Sequence, residues 1–163
     1  MASTGAATAA PCTWRTARPG HIYAFDFDGR EGTLSSGRIL LALAPDVGAP
    51  DGLTVDAPGD LWVAIYGGGC VRRYTPGGEL REIRRVPARQ STSCAFAGDR
   101  LDRLYVTTAT EGWSDAERRA DPAAGLVYRL DPDAVGVTPR PIRPEPAWWA
   151  TIIGDGVEPA SAG

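Results

Sequence analysis

The sequence predicts an all-β chain made of about two and a half four-stranded antiparallel units, the kind of unit that forms the blade of a propeller. Three observations carry this. The chain repeats a strand pattern at an interval of about 40–45 residues, as blades do. It holds 20 Gly and 14 Pro in 163 residues, which suits many short strands joined by turns. Its best-defined unit, residues 51–87, divides into four short runs separated by turn residues.

That unit opens with Leu53-Thr54-Val55, which alternates like a short strand, and turns at Ala57-Pro58-Gly59-Asp60. Residues 61–65 are continuously apolar, the mark of a strand covered on both faces. Gly67-Gly68-Gly69 is the next turn, 71–74 the third strand and Thr75-Pro76-Gly77-Gly78 the third turn. Residues 80–86 alternate apolar and charged, as a strand at an outer edge does. Leu61-Trp62-Val63-Ala64 recurs as Leu104-Tyr105-Val106-Thr107, and the string from Gly69 to Pro76 recurs from Gly125 to Pro132. The second spacing is longer, so residues 108–124 carry an insertion. Ile22-Tyr23-Ala24-Phe25-Asp26 is a partial third copy, matching Val71-Arg72-Arg73-Tyr74-Thr75. Strands are expected at 22–27, 37–43, 52–56, 61–66, 70–75, 80–86, 93–97, 103–108 and 126–130, with a helical turn near 114–119. Residues 21–138 form the partial propeller, and 139–163 a Pro/Ala/Gly-rich tail. A unit of this kind leaves an open apolar flank, through which association with another half is expected.

Composition excludes several classes. A net charge of −3 argues against nucleic acid, which needs a basic stripe. No apolar run is long enough for a membrane helix, and a cytoplasmic location is expected. All 17 basic residues are Arg and there is no Asn, which reads as the product of a GC-rich bacterial gene. Cys12, Cys70 and Cys94 match no zinc spacing and are odd in number; Cys70 and Cys94 read as buried small hydrophobes. The single His21 leaves no histidine-based triad or metal cluster, and reads as a strand-end residue. Asp26-Phe27-Asp28-Gly29-Arg30-Glu31 echoes a calcium loop but lacks the flanking helices, so it reads as a hairpin turn.

The string from Pro50 to Ala64, with Pro50-Asp51-Gly52 at its head, resembles the regucalcin/gluconolactonase family. So do Gly67-Gly68-Gly69-Cys70-Val71-Arg72-Arg73-Tyr74, Ser91-Thr92-Ser93-Cys94-Ala95-Phe96-Ala97-Gly98 and the stretch from Asp121 to Leu130. The resemblance runs over about residues 21–150 and implies a six-bladed β-propeller of which this chain holds the C-terminal half. It implies hydrolysis of a sugar lactone at a divalent cation (calcium, zinc or magnesium), with Asp51 as both metal ligand and catalytic proton acceptor. The family's Asn ligand has no counterpart in a chain without Asn, and its Glu ligand lies on blades outside this match, so the cation site is incomplete here. Tyr66, after the second strand of its unit, belongs on the same face as Asp51. The inserted loop overhangs that face, and its Trp113, Asp115 and Glu117 are candidates to line or cover a substrate, Tyr66 and Trp113 foremost. The alternative for Asp51 is a plain turn residue, and for the loop a solvated charged surface.

Residues 1–20 do not resemble the family, although residue 22 onward does. With GC-rich codons and the frame moved by one nucleotide, they permit the family's missing Asn-Gly-Leu-Asp-Trp-Ser motif and the strand after it. The expectation is a frameshifted segment, irregular in structure because it was never selected to pack. A processed targeting segment is the rival reading. For function, three readings stand. The chain is half of a metal-dependent lactonase, inactive alone; or a non-catalytic propeller fragment acting as a binding module; or an inactive truncation product.

Overall fold

The computed structural model describes residues 10–15, 20–28 and 31–138. They form three antiparallel sheets. The first is β1 (Ala10–Arg15), β2 (His21–Asp28) and β3 (Thr33–Ala42), paired in that order. The second is β4 (Ala49–Val55), β5 (Leu61–Tyr66), β6 (Cys70–Tyr74) and β7 (Leu80–Arg85). The third is β8 (Ser91–Ala97), β9 (Arg103–Thr108) and β10 (Val127–Leu130). Each strand pairs with its neighbour in sequence, so every link within a sheet is a hairpin. Among the described residues, helix is confined to α1 (Asp115–Ala120) and a 3-10 turn at Pro45–Val47.

The sheets stack face on face, and β5 shows why its sequence is apolar at every position. Leu61, Val63 and Ile65 enter a core with Ile22 and Leu41 of the first sheet. Trp62 turns the other way, into a core with Cys94, Leu104 and Val106 of the third. Side chains alternate along a strand, so a strand between two sheets needs apolar residues in both phases. All five residues from Leu61 to Ile65 are 3% exposed or less. Burying a side chain of that size contributes roughly 1.5–3 kcal/mol each. The strand β7, with alternating half-buried and exposed positions, lies at the sheet edge. Cys70 and Cys94 are free and buried, and the Cys94 thiol donates to the Trp62 carbonyl at 3.2 Å.

The turn between β2 and β3 is a hairpin, as expected. Glu31 N–H donates to Asp28 Oδ1 at 3.2 Å and Gly32 N–H to the Asp28 carbonyl at 2.8 Å; Gly29 and Arg30 lie outside the described residues. The strand β3 begins at Thr33, four residues before the expected start. Its polar Thr-Leu-Ser-Ser-Gly text has no apolar alternation, and pairing with β2 extends it.

One expectation is corrected. Residues 1–20 are not irregular throughout, because Ala10–Arg15 forms β1, paired antiparallel with β2 from Ala10 opposite Phe27 to Arg15 opposite Ile22. The physical reason is the backbone of β2. Ile22 and Ala24 are buried against the second sheet, and β2 pairs with β3 on one side only. A strand on its other side satisfies the remaining N–H and C=O groups, and Cys12-Thr13-Trp14 is a β-favouring text. Residues 1–9 and 16–19 lie outside the described residues, as does the tail at 139–163.

Candidate functional site

Asp51 sits on a β-bulge. Pro50 pairs with Ile65 and Leu53 with Val63, so Asp51 and Gly52 together oppose Ala64. A bulge re-aims a side chain relative to the pleat. The third sheet has its own bulge at the corresponding place, since Ser91 pairs with Thr108 and Ser93 with Thr107, leaving Thr92 over. Gly52 follows Asp51 for a reason of space: a Cβ there would stand 2.8 Å from Ser93 Cα and 2.2 Å from its Oγ. The strands β4 and β8 therefore approach closely at Gly52, next to Asp51, which lies within β4 rather than in a turn.

Tyr66 ends β5 opposite Ala49, two residues before Asp51, so the two share one end of the second sheet. Tyr66 also bridges to Gln90, just before β8. Gln90 ties the inserted loop to this point. Its carbonyl accepts from Ala109 N–H at 2.9 Å, and its Nε2 donates to the Glu111 carbonyl at 3.0 Å. Glu111 is thereby delivered to Tyr66. Burial raises the pKa of the Tyr66 phenol, followed by the charge and hydrogen-bonding of the Glu111 carboxylate and then the charge of Asp51.

The loop is better ordered than its charge suggests. Ser114 and Glu117 form a capping box on α1, with Ser114 N–H donating to Glu117 Oε2 at 2.7 Å and Glu117 N–H to Ser114 Oγ at 3.3 Å. Glu117, a candidate to line a substrate, is engaged in this cap. Asp115 is exposed in the first turn of α1, where its charge suits the helix dipole. Trp113 is half-buried, and its carbonyl accepts from Arg118 Nε at 3.3 Å.

Sequence reasoning missed Glu111; its only signal was membership of the inserted loop. It also read Asp60 as a turn residue. At the other end of the second sheet, Asp56 is fully buried and Asp60 is 1% exposed. Asp56 accepts from Asp60 N–H at 2.8 Å, Trp62 Nε1 at 2.9 Å and Arg73 NH2 at 2.6 Å. Asp60 Oδ2 lies 3.0 Å from Arg73 Nε and 3.2 Å from Arg81 Nε, close ion pairs poorly aligned for hydrogen bonding. The Arg73 guanidinium also stacks on Trp62, 5.2 Å from the ring centroid. The chain after β10 covers this end: Ala57 N–H donates to the Val135 carbonyl, and Gly136 bridges Asp56. A Cβ on Gly136 would stand 2.4 Å from Phe96 Cβ, so only glycine passes there.

The donor set does not by itself fit a divalent cation. Among the described residues no group of three or more His, Cys, Asp or Glu is close enough to hold one. Asp51 and Glu111 supply carboxylates, whereas zinc takes at least three protein ligands and calcium six to eight oxygens. No helix among the described residues is long and apolar enough to cross a membrane.

Comparison with known proteins agrees with this architecture. Residues 14–110 match the SMP-30/Gluconolactonase/LRE-like region. Regucalcin of Xenopus laevis is 37% identical over 111 residues, covering 67% of this chain and 37% of the relative. A putative sugar lactone lactonase of Bacillus subtilis is 37% identical over 122 residues, covering 74% of this chain and 41% of the relative. The chain thus spans about two fifths of the length of the curated relatives it matches. The crystal structure of regucalcin from Agrobacterium tumefaciens, described as a calcium-binding protein, superposes with a TM-score of 0.68 at 31% identity, over 72% of this chain and 40% of that one. A luciferin-regenerating enzyme superposes equally well, with a TM-score of 0.68 at 30% identity over 77% and 42%. With a family match over more than half its length and relatives of this identity, the chain belongs to the SMP-30/gluconolactonase/LRE-like family.

Proposed function

We propose that the three sheets are consecutive blades, together about two and a half blades' worth of strands, of a six-bladed propeller, and that the chain contributes Asp51 to a site hydrolysing a sugar lactone. The observation that carries this is the placement of Asp51 on a bulge next to the close approach of β4 and β8, beside the Tyr66 phenol. In that reading the Asp51 carboxylate accepts the proton of a water attacking the lactone carbonyl. Water oxygen bonds to the carbonyl carbon, the acyl–oxygen bond of the ring breaks, and the expelled alkoxide takes back the proton held by Asp51, giving the hydroxy acid. Tyr66 and Trp113 face the sugar. The divalent cation implied by the family, calcium, zinc or magnesium, needs donors beyond Asp51 and Glu111, so the 163-residue chain alone is inactive and becomes competent only with the remaining blades.

A second reading, a non-catalytic propeller fragment that binds rather than hydrolyses, draws support from the small donor set. One experiment separates the two. Sugar-lactone hydrolysis is measured with calcium, zinc or magnesium, for the chain alone and for the chain joined to the N-terminal blades of a family member. No turnover alone and cation-dependent turnover when joined supports the lactonase reading. Turnover by the chain alone contradicts its inactivity; a folded but silent joined protein favours the binding module.

A further inference from the structure

Five arginines lie on β6 and β7, and the two faces of the sheet treat them differently. Arg73 and Arg81 meet the carboxylate of Asp60, and Arg84 that of Glu82. Arg72 and Arg85 meet no carboxylate among the described residues. Residues 70, 72 and 74 of β6 share one face. Cys70 and Tyr74 belong to the core with Ile22 and Leu41 of the first sheet, so Arg72, between them, is held on that side. Ile83 stands opposite Arg72 and Arg85 opposite Cys70. Arg72 and Arg85 are therefore diagonal neighbours, about 7–8 Å apart and within reach of long side chains.

The groups around Arg72 are hydrogen-bond donors. Cys70 is 2% exposed and Tyr74 3%. Arg72 Nε and the Tyr74 hydroxyl are buried, and neither has a hydrogen-bond partner. Burial raises the pKa of the Tyr74 phenol, with the neighbouring Arg72 acting against it, so the phenol is protonated at neutral pH. The turn after β6 closes this place at one end. A Cβ on Gly78 would stand 2.7 Å from the Leu40 carbonyl oxygen, so the turn lies directly on β3. A buried donor without a partner is costly, and donors gathered without a carboxylate call for an acceptor from outside. With a net charge of −3 the chain as a whole repels anions, so one that binds is drawn by a local group of cations.

We infer that Arg72, Arg85 and Tyr74 bind a small, doubly charged oxyanion, of which inorganic phosphate is the simplest, on the face of β6 and β7 turned to the first sheet. Two guanidiniums balance two negative charges, and the planar guanidinium fork matches the oxygens of a phosphate in pairs. The Tyr74 hydroxyl donates a further hydrogen bond. A single carboxylate carries one charge and leaves one guanidinium unmatched. No residue assigned to lactone hydrolysis takes part.

The test is calorimetric titration of the full 163-residue chain with inorganic phosphate and with acetate at constant ionic strength, alongside the thermal midpoint. Phosphate should bind saturably, about tenfold more tightly than acetate, and raise the midpoint by mass action. Arg85 is exposed, so Arg85→Gln leaves the core intact; it should weaken phosphate about tenfold, as should Arg72→Gln. Tyr74→Phe keeps the ring in the core and should weaken it about threefold. Arg84 stands opposite Val71, on the face turned to the third sheet. Arg84→Gln therefore makes the same change of charge on the other face and should leave phosphate binding as it is. The absence of saturable phosphate binding overturns the inference. So does phosphate binding that Arg85→Gln leaves unchanged, or that Arg84→Gln weakens equally, since either outcome reduces it to diffuse attraction of charge.

Discussion

The two ends of the second sheet use carboxylates in opposite ways. At one end Asp56 and Asp60 are buried, Asp56 hydrogen-bonded to the Trp62 indole and Arg73 and Asp60 ion-paired with Arg73 and Arg81. At the other, Asp51 is only half-buried, held on a bulge beside a phenol and a second carboxylate. Both ends sit in turn-like text, Pro-Asp-Gly and Asp-Ala-Pro-Gly-Asp. What separates them is burial: Arg73 on β6 reaches the buried Asp56 and Asp60 at one end, whereas Asp51 at the other is half-buried. A buried carboxylate held by arginine is an architectural group.

The largest effect expected is from Asp56→Ala. It strands the Arg73 guanidinium, the Trp62 N–H and the Asp60 N–H together, and chemical denaturation should show a loss of about 3–5 kcal/mol. A loss below 1 kcal/mol would mean that this end is not the structural one. Trp62→Phe keeps the ring in the core but removes its donor to Asp56, and should cost about 1–3 kcal/mol in the same assay.

The buried thiol tests the same packing. Burial pushes the Cys94 pKa up to about 12, above the ordinary value of about 8.5. A raised folded-state pKa contributes stability that is fully present below the unfolded value and is lost as the pH climbs through the folded one. Cys94 should therefore resist alkylation at pH 8 in the native chain and react on denaturation, with site-by-site mass spectrometry as the readout. Rapid native labelling of Cys94 would show that the interface between the second and third sheets opens.

At the accessible end effects on stability are small. Glu111→Gln should lower the Tyr66 phenol pKa toward its ordinary value, leaving burial and Asp51 to hold it up, as an ultraviolet titration of the phenol would register. The contribution has the same sign as that of Cys94, present below about pH 10 and lost above it. An unchanged Tyr66 titration would remove Glu111 from the site. Asp51→Asn should alter stability by less than about 0.5 kcal/mol.

Much of the fold was legible because repetition and period-two patterning are local signals. The continuous apolar run from Leu61 to Ile65 announced a strand between two sheets, and the alternating text from Leu80 announced an edge. The position of Asp51 and Tyr66 at one end of the second sheet follows from strand topology alone. What could not be read were features set by another part of the chain. Asp60 looked like a turn residue because Arg73 and Arg81 lie on later strands. Glu111 gave no sign because its approach to Tyr66 depends on Gln90 fastening the loop. The strand β1 was hidden because the need that creates it belongs to the backbone of β2.

The contrast between the two ends is tested most directly by one paired measurement. In the chain joined to the N-terminal blades of a family member, lactone turnover and thermal midpoint are recorded for Asp51→Asn and Asp56→Asn. The account predicts that Asp51→Asn abolishes turnover at an unchanged midpoint, while Asp56→Asn lowers the midpoint by several degrees. Full turnover with Asp51→Asn would contradict it.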